Sequence, residues 1–336
     1  MTYSQQKQLI PVANKPILFY GIEDLIEAGI KDIGIIVGPN KEQVKDIVNS
    51  VEWKANISFI EQDYPKGIAH TIKISKDFLD NEPFIMYLGD NILKEGVIKH
   101  VKDFKESKCE GSILLNKVPN PSEFGIASFD SDENITKIIE KPKNPATDFA
   151  VIGVYMFKSN IFKAVDEIKL SKRNQYEITD AIQWLIDKDY KVKSAFVKDW
   201  WKDTGKPEDI LHANRLVIDT IEPKINGKTN NCEIRGRVQI GKNSEITGDS
   251  TIKGPVIIGE NCKIHDSYIG PYTSIGDNCI LKNTEIEDSV LMKAVNICDS
   301  ERIVDSLIGQ GVTIYKKNGL PKGRRFIIGD NSEVCL

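Results

Sequence analysis

Two aspartates stand where an apolar run gives way to a glycine-containing turn. Residues 84–88 (FIMYL) are closed by Gly89, Asp90 and Asn91, and far along the chain residues 200–205 (WWKDTG) set Asp203 in a second glycine-bounded turn. Two separated carboxylates meeting at one sheet edge would suit Mg²⁺, which takes one or two carboxylates and leaves its other positions to water and phosphate oxygens. Each has a plainer reading too: Asp90 as a turn former, and Asp203 as a cap for a helix opening at Pro207. Between them, residues 61–69 (EQDYPKGIA) end a strand, cross a loop and open a helix. The Gln62 amide can read the edge of a base, and Gly67 lets a ring approach the backbone. Glu140-Lys141-Pro142 follows another strand; its carboxylate can accept from sugar hydroxyls while its lysine meets a phosphate, unless the two are a solvated pair beside a turn proline. Near the start, residues 7–16 (KQLIPVANKP) bracket an apolar core with two lysines and two prolines.

These residues need elements to bring them together. Pro16 suits a first helical turn, and Ile17, Leu18, Ile22, Leu25 and Ile26 then recur at helical spacing until Gly29. Strands are predicted at residues 32–38, 56–60, 84–88, 112–118, 125–129, 135–139, 151–157 and 192–197. Helices are predicted at 41–49, 68–79, 96–104 and 179–187. This alternation predicts an α/β, Rossmann-like domain with a mostly parallel sheet, whose ligands lie beyond the carboxyl ends of the strands. The domain is assigned to residues 1–221.

From residue 222 to 336 the pattern changes. Ile234, Ile240, Ile246, Ile252, Ile258 and Ile264 fall at six-residue intervals, and Ile269, Ile275 and Leu281 continue after a one-residue slip. Small residues follow four places later at Ser244, Ser250, Cys262, Thr273 and Cys279. One inward aliphatic per six residues is the pattern of a hexapeptide left-handed parallel β-helix. The rhythm loosens over residues 284–302 and recovers near Ile308. A stacking and homo-oligomerisation role is expected for this half. Acyl transfer, for which such folds often use a histidine, would rest on His265 alone. The basic stretch 319–325 (GLPKGRR) reads as a ligand site or a solvated loop.

Composition narrows the classes. The 336 residues carry 45 basic and 49 acidic side chains, a formal charge of −4, which gives no reason to expect nucleic acid or an anionic membrane as partner. No apolar run reaches the length of a membrane span. The six cysteines form no C-x-x-C pair, which favours reduced thiols in a cytoplasmic protein over zinc or disulfides. The four histidines, His70, His100, His212 and His265, belong to no evident Ser-His-Asp or Cys-His set.

Taken in order, KQLIPVANKP, QDYPKGIAH, YLGDN, EFGIASFD, IIEKP, FAVIGVY, YEITDAIQWL and WWKDTG resemble the sugar-1-phosphate nucleotidyltransferases, most closely the long-form glucose-1-phosphate thymidylyltransferases. Each motif alone is modestly specific, but their succession through the chain is not. The resemblance implies Mg²⁺-dependent transfer of a nucleotidyl group from dTTP to glucose 1-phosphate, giving dTDP-glucose and pyrophosphate for deoxysugar synthesis. It implies that Lys7, with Gln8, meets the nucleotide phosphates, that Gln62 and Gly67 hold the thymine, and that Asp90 and Asp203 bind the metal. Gly125, Glu140, Lys141 and Val151 would surround the sugar phosphate, with Tyr155 and Glu177 in the same pocket. Lys7, Lys141, Asp90 and Asp203 would be the catalytic set. No protein nucleophile is needed, because a phosphate oxygen of the sugar attacks the α-phosphorus in line.

The chain departs from that family at its start. A buried first strand and a glycine-rich G-x-G-T-R-L-R-P loop normally precede the lysine loop. Here the sequence opens at Met1-Thr2-Tyr3-Ser4, in register with the end of that loop. The register predicts a longer parent chain, and a chain lacking the loop is expected to have little turnover, having lost a nest of phosphate-binding N–H groups. Two other readings stay open: a related transferase using UTP or another sugar phosphate, and a non-catalytic sugar-nucleotide-binding subunit.

Overall fold

The computed structural model describes residues 6–39, 41–316 and 332–335. Residues 1–5 and the basic stretch 319–325 lie outside the described residues. The described chain forms two compact units, one of residues 18–203 and one combining residues up to Ile17 with those from Thr204 onward.

In chain order, β1 (Pro11–Val12) and β2 (Lys15–Pro16) make a short antiparallel hairpin in which Pro11 faces Pro16. Pro16 thus belongs to the hairpin and not to the first helical turn; α1 (Ile17–Glu27) begins one residue later, where Ile17 donates its N–H to the Ile10 carbonyl. Next come β3 (Asp32–Val37), α2 (Lys41–Asn49) and β4 (Asn56–Glu61). The single helix expected over 68–79 is two, α3 (Ile68–Ile74) and α4 (Lys76–Leu79). They part at Ser75, whose hydroxyl bonds back to the Thr71 carbonyl at 2.7 Å.

After these lie β5 (Phe84–Tyr87), β6 (Asn91–Leu93), α5 (Ile98–Lys105), β7 (Gly111–Lys117), β8 (Gly125–Phe129), β9 (Ile135–Glu140) and β10 (Phe149–Phe157). The unit closes with α6 (Asn160–Glu167), α7 (Ile178–Asp187), β11 (Val192–Phe196) and β12 (Trp201–Asp203).

The α/β class holds, but the pairing in the main sheet is mixed where a mostly parallel one was expected. Its order is β11-β7-β10-β8-β9, with β5 also on β10, and only β11–β7 is parallel. The reason is local. Asp130 accepts the N–H groups of Asp132 and Asn134, closing a tight turn that makes β8 and β9 a hairpin, which can only be antiparallel. Apolar runs alone do not report that direction. Among the described residues, β3 pairs in parallel with β4 as a separate ribbon, and β6 pairs antiparallel with β12. Strand β10, buried from Ala150 to Phe157, is the spine, covered by α3, α6 and α7 through Ile72, Ile161, Phe162, Ile178 and Ile182.

In the other unit, α8 (Pro207–Ile218) is followed by a parallel β-helix that comprises, among the described residues, three sheets with six, six and five strands. The aliphatics stack inside as read from the sequence: Ile240 over Ile258, Ile275, Leu291 and Ile308, and Ile246 over Ile264, Leu281, Ile297 and Ile314. The stretch 284–302 does not leave the helix. The step from Ile258 to Ile275 is shorter than that from Ile240 to Ile258, and the step to Leu291 is shorter again, so tighter corners break the sequence rhythm while the stacking continues. Ser244, Ser250, Cys262, Thr273 and Cys279 are all buried, as their small size requires.

Candidate active site

The two aspartates come together through β6 and β12. Gly89 and Asp90 form the turn after β5, closed by the Asn91 N–H on the Leu88 carbonyl. Asn91 then opens β6, and its register partner on β12 is Asp203. Asp90 and Asp203 therefore stand at the same end of one two-stranded ribbon. The reading of Asp203 as a helix cap is set aside: α8 is capped at Lys206, whose N–H is accepted by Asp209.

Asn91 is the fixed point between them. It is buried, and its amide donates to Asp90 Oδ1 at 2.8 Å. Its own Oδ1 accepts the Trp201 indole N–H at 2.6 Å and the Gly153 N–H at 3.3 Å. A Cβ on Gly153 would lie 2.8 Å from the Asn91 amide, so the bare backbone of β10 is what lets Asn91 in. Oδ1 of Asp203 is buried and accepts no hydrogen bond from the described residues, although the side chain has other interactions. No cluster of three metal-binding side chains exists among the described residues. Mg²⁺ takes one or two carboxylates, so two aspartates at one end of a ribbon are a donor set that fits that ion.

A second group lines up across β9, β8 and β10. Gly125 is the register partner of Glu140 on one side and of Val151 on the other. A Cβ at Gly125 would come within 2.7 Å of Thr179 Cγ2 and 3.2 Å of Glu140 Oε2. Glu140 accepts from Arg173 at 3.0 Å, and Arg173 also lies 3.5 Å from Glu177. Glu177, buried at the start of α7, accepts from the Ser171 hydroxyl at 2.8 Å. Burial and the neighbouring Glu177 push the Glu140 carboxyl above its ordinary range, against the pull of Arg173 and Lys141. Lys141 is exposed and held at a φ of 45°, with its N–H on the Phe124 carbonyl.

Tyr155 lies near the end of β10. Its phenol is buried and held neutral by that burial, with smaller contributions from Glu140 and Asp90.

The third group is Gln62 and Gly67. Gln62 follows β4, and its Nε2 lies 3.0 Å from His70 Nδ1. Gly67 has a φ of 103°, and a Cβ there would sit 2.4 Å from the Tyr176 carbonyl oxygen. The close neighbour that requires glycine is thus the Tyr176 backbone. Lys7 and Gln8 lie in the other compact unit, in the turn Lys7–Leu9.

Residues 1–220 match the family model described as nucleotidyl transferase. The chain belongs to that family. Residues 252–335 match a model described as the GMPPB C-terminal domain. The nucleotidyltransferase is 43% identical to the low-salt glycan biosynthesis nucleotidyltransferase Agl11 of Haloferax volcanii, over 100% of this chain and 96% of that protein. It is 39% identical to a glucose-1-phosphate thymidylyltransferase of Streptomyces griseus, over 100% of this chain and 95% of that one. Among solved structures, a Bacillus anthracis protein described as a glucose-1-phosphate thymidylyltransferase, crystallised with sucrose, superposes with a TM-score of 0.60. That pair is 32% identical over 66% of this chain and 91% of the other.

Sequence reasoning gave no role to Asn91, Gly153, Trp201 or Arg173 in this nucleotidyltransferase. Asn91 and Trp201 stood inside quoted motifs, but nothing in their spacing says that they meet. Arg173 had one available signal, a basic residue in the loop just before Glu177.

Proposed function

We propose that this nucleotidyltransferase makes dTDP-glucose and pyrophosphate from dTTP and glucose 1-phosphate. The observation that carries the reading is the placement of Asp90 and Asp203 at one end of the β6–β12 ribbon, where Asn91 pairs with Asp203 and donates to Asp90. A phosphate oxygen of the sugar attacks the α-phosphorus of dTTP, the bond to the bridging oxygen breaks, and pyrophosphate leaves with that electron pair. Asp90 and Asp203 would hold Mg²⁺, which supplies charge neutralisation to the phosphates when bound. Glu140 and Glu177 accept hydrogen bonds from sugar hydroxyls, beside Gly125, where a side chain would collide with Thr179 and Glu140. Lys141 stabilises the charge spread over phosphate oxygens as the bond to the leaving group lengthens. Gln62 faces the base. Thymine and glucose follow the names of the Streptomyces and Bacillus relatives. The Haloferax relative, named for glycan biosynthesis without a stated nucleotide, favours keeping UTP and other sugar phosphates as the second reading.

The six free cysteines fit a cytoplasmic enzyme, and among the described residues no helix is long and apolar enough to cross a membrane. We place assembly into a homo-oligomer on the β-helix. The test is a matrix of nucleoside triphosphates and sugar 1-phosphates with Mg²⁺, read by pyrophosphate release and by calorimetric binding of each product. Preference for dTTP with glucose 1-phosphate supports the proposal. Preference for UTP moves it to the second reading, and tight binding of dTDP-glucose with no turnover makes the chain a binding subunit.

A further inference from the structure

We propose that His70 is the positioning residue that fixes which way round the Gln62 amide faces, so that the site accepts a pyrimidine carrying a ring N3–H, thymine or uracil, and rejects cytosine. The inference rests on the reading of Gln62 as the base-facing residue. An amide has an oxygen edge and a nitrogen edge that differ little in shape, and only its partners decide their order. Here Nε2 lies 3.0 Å from His70 Nδ1. A neutral ring with its proton on Nε2 accepts one Gln62 N–H at Nδ1. The remaining N–H and Oε1 then form a donor–acceptor pair that matches a base carbonyl and N3–H. Cytosine presents the opposite pair, an amino donor and a bare N3 acceptor, so donor would meet donor.

The surroundings keep the ring neutral and still. Tyr176 stacks on His70 with ring centroids 6.4 Å apart and planes 20° from parallel. Tyr176 is tied to α3 and its loop by backbone bonds to Lys66 and Ala69. Lys66 and Asp63 from the loop and Lys73 from α3 are the charged groups facing the ring. Burial first, then the two lysines, hold its proton affinity below the ordinary 6.5, against Asp63. The ring also lines a cavity of about 420 Å³ with Lys66, Lys73, Asn174 and Leu170, through which a proton can reach it. Once both ring nitrogens carry protons, Gln62 must turn its oxygen toward His70. Its base edge is then reversed and suits cytosine.

Binding of dTTP and dCTP to the full chain, measured calorimetrically from neutral to acid pH, tests this. The wild-type preference for dTTP should fall by roughly tenfold as His70 protonates, the worth of about one neutral hydrogen bond. His70→Phe should lower the preference by a similar factor at every pH. His70→Asn, whose Oδ1 takes the place of Nδ1 and does not titrate, should keep the preference and lose its pH dependence. A wild-type preference that is flat with pH and unchanged in His70→Phe overturns the inference. Gln62→Ala separates the two layers: if it leaves the preference intact, the base-facing role of Gln62 is what fails. Circular dichroism checks folding, and if His70→Phe is unfolded the wild-type and His70→Asn pH profiles decide alone.

Discussion

Trp201 donates its indole N–H to Asn91 Oδ1 at 2.6 Å, tying the strand that ends in Asp203 to the turn that carries Asp90. Asn91 passes the constraint on, because its amide donates to Asp90. Trp201 is further braced by Phe124, edge to face with centroids 5.8 Å apart, in the segment that leads into Gly125. A single buried amide thus bonds both to Asp90 and to the strand that carries Asp203.

Trp201→Phe removes that N–H and keeps most of the ring. Asn91 would retain only the longer bond from Gly153 at its oxygen, so a loss of about 1–2 kcal/mol in stability is expected. If Asp90 and Asp203 hold an ion, misplacing one should weaken Mg²⁺ dependence by about 10–100-fold, as for other partners that orient metal ligands. Urea melts and the Mg²⁺ concentration for half-maximal rate give the two numbers. A stability loss with unchanged Mg²⁺ dependence would show that Asn91 is only a structural amide.

Asp90→Asn and Asp203→Asn should each cost about 100-fold or more in turnover, with little effect on the fold. Their losses should not add, since either one disables the same ion site. Chelation should stop the reaction and added Mg²⁺ restore it. Rates that multiply in the double variant would place the two residues in separate tasks.

Glu140 carries a stability cost in the fold. Its carboxyl is raised above its ordinary 4.5 in the fold, by burial and by Glu177, so the folded chain holds that proton more readily than the unfolded one. The fold is therefore least penalised in acid, and the penalty grows as pH rises through the raised value. Glu140→Gln removes it. The variant should melt higher than wild type at neutral pH, with the gap closing in acid, and should bind glucose 1-phosphate more weakly. Equal melting temperatures across the range would mean that Arg173 already cancels the repulsion.

Why some of this was readable from the chain and some was not has a physical basis. The β-helix was plain because one aliphatic per repeat must face an axis too narrow for anything else, and Ile246, Ile264 and Leu281 each record that constraint. Gly125, Glu140 and Val151 were named from a resemblance, and β8, β9 and β10 place them side by side. The direction of strand pairing was not legible, since an apolar run such as β10 is the same in either orientation. Asn91 was invisible for a related reason: its three bonds reach Asp90, Trp201 and Gly153, and only the first is near in sequence. Ser75 misled because a hydroxyl bonding back along the helix leaves the apolar period intact on both sides.

Asn214 offers a test of what the β-helix does for the lysine hairpin. It is 1% exposed in α8, and it accepts the Ala13 N–H at 2.9 Å and the Ser274 hydroxyl at 2.6 Å while donating to the Tyr272 carbonyl at 3.1 Å. Asn14 adds a bond from the hairpin to the Ile275 carbonyl at 2.7 Å. The β1–β2 turn is too short to hold its own shape in water, so these bonds to α8 and the β-helix are what fix it. Asn214→Ala strands the buried Ser274 hydroxyl and the half-buried Ala13 N–H and Tyr272 carbonyl and should cost about 2–3 kcal/mol. The loss should be local, with the Ala13 amide exchanging far faster than the amides of Ile246 or Ile264 inside the coil. Exchange that rises equally at all three would mean Asn214 stabilises the whole unit. Exchange unchanged at Ala13 would mean that the hairpin is held by its apolar side chains alone.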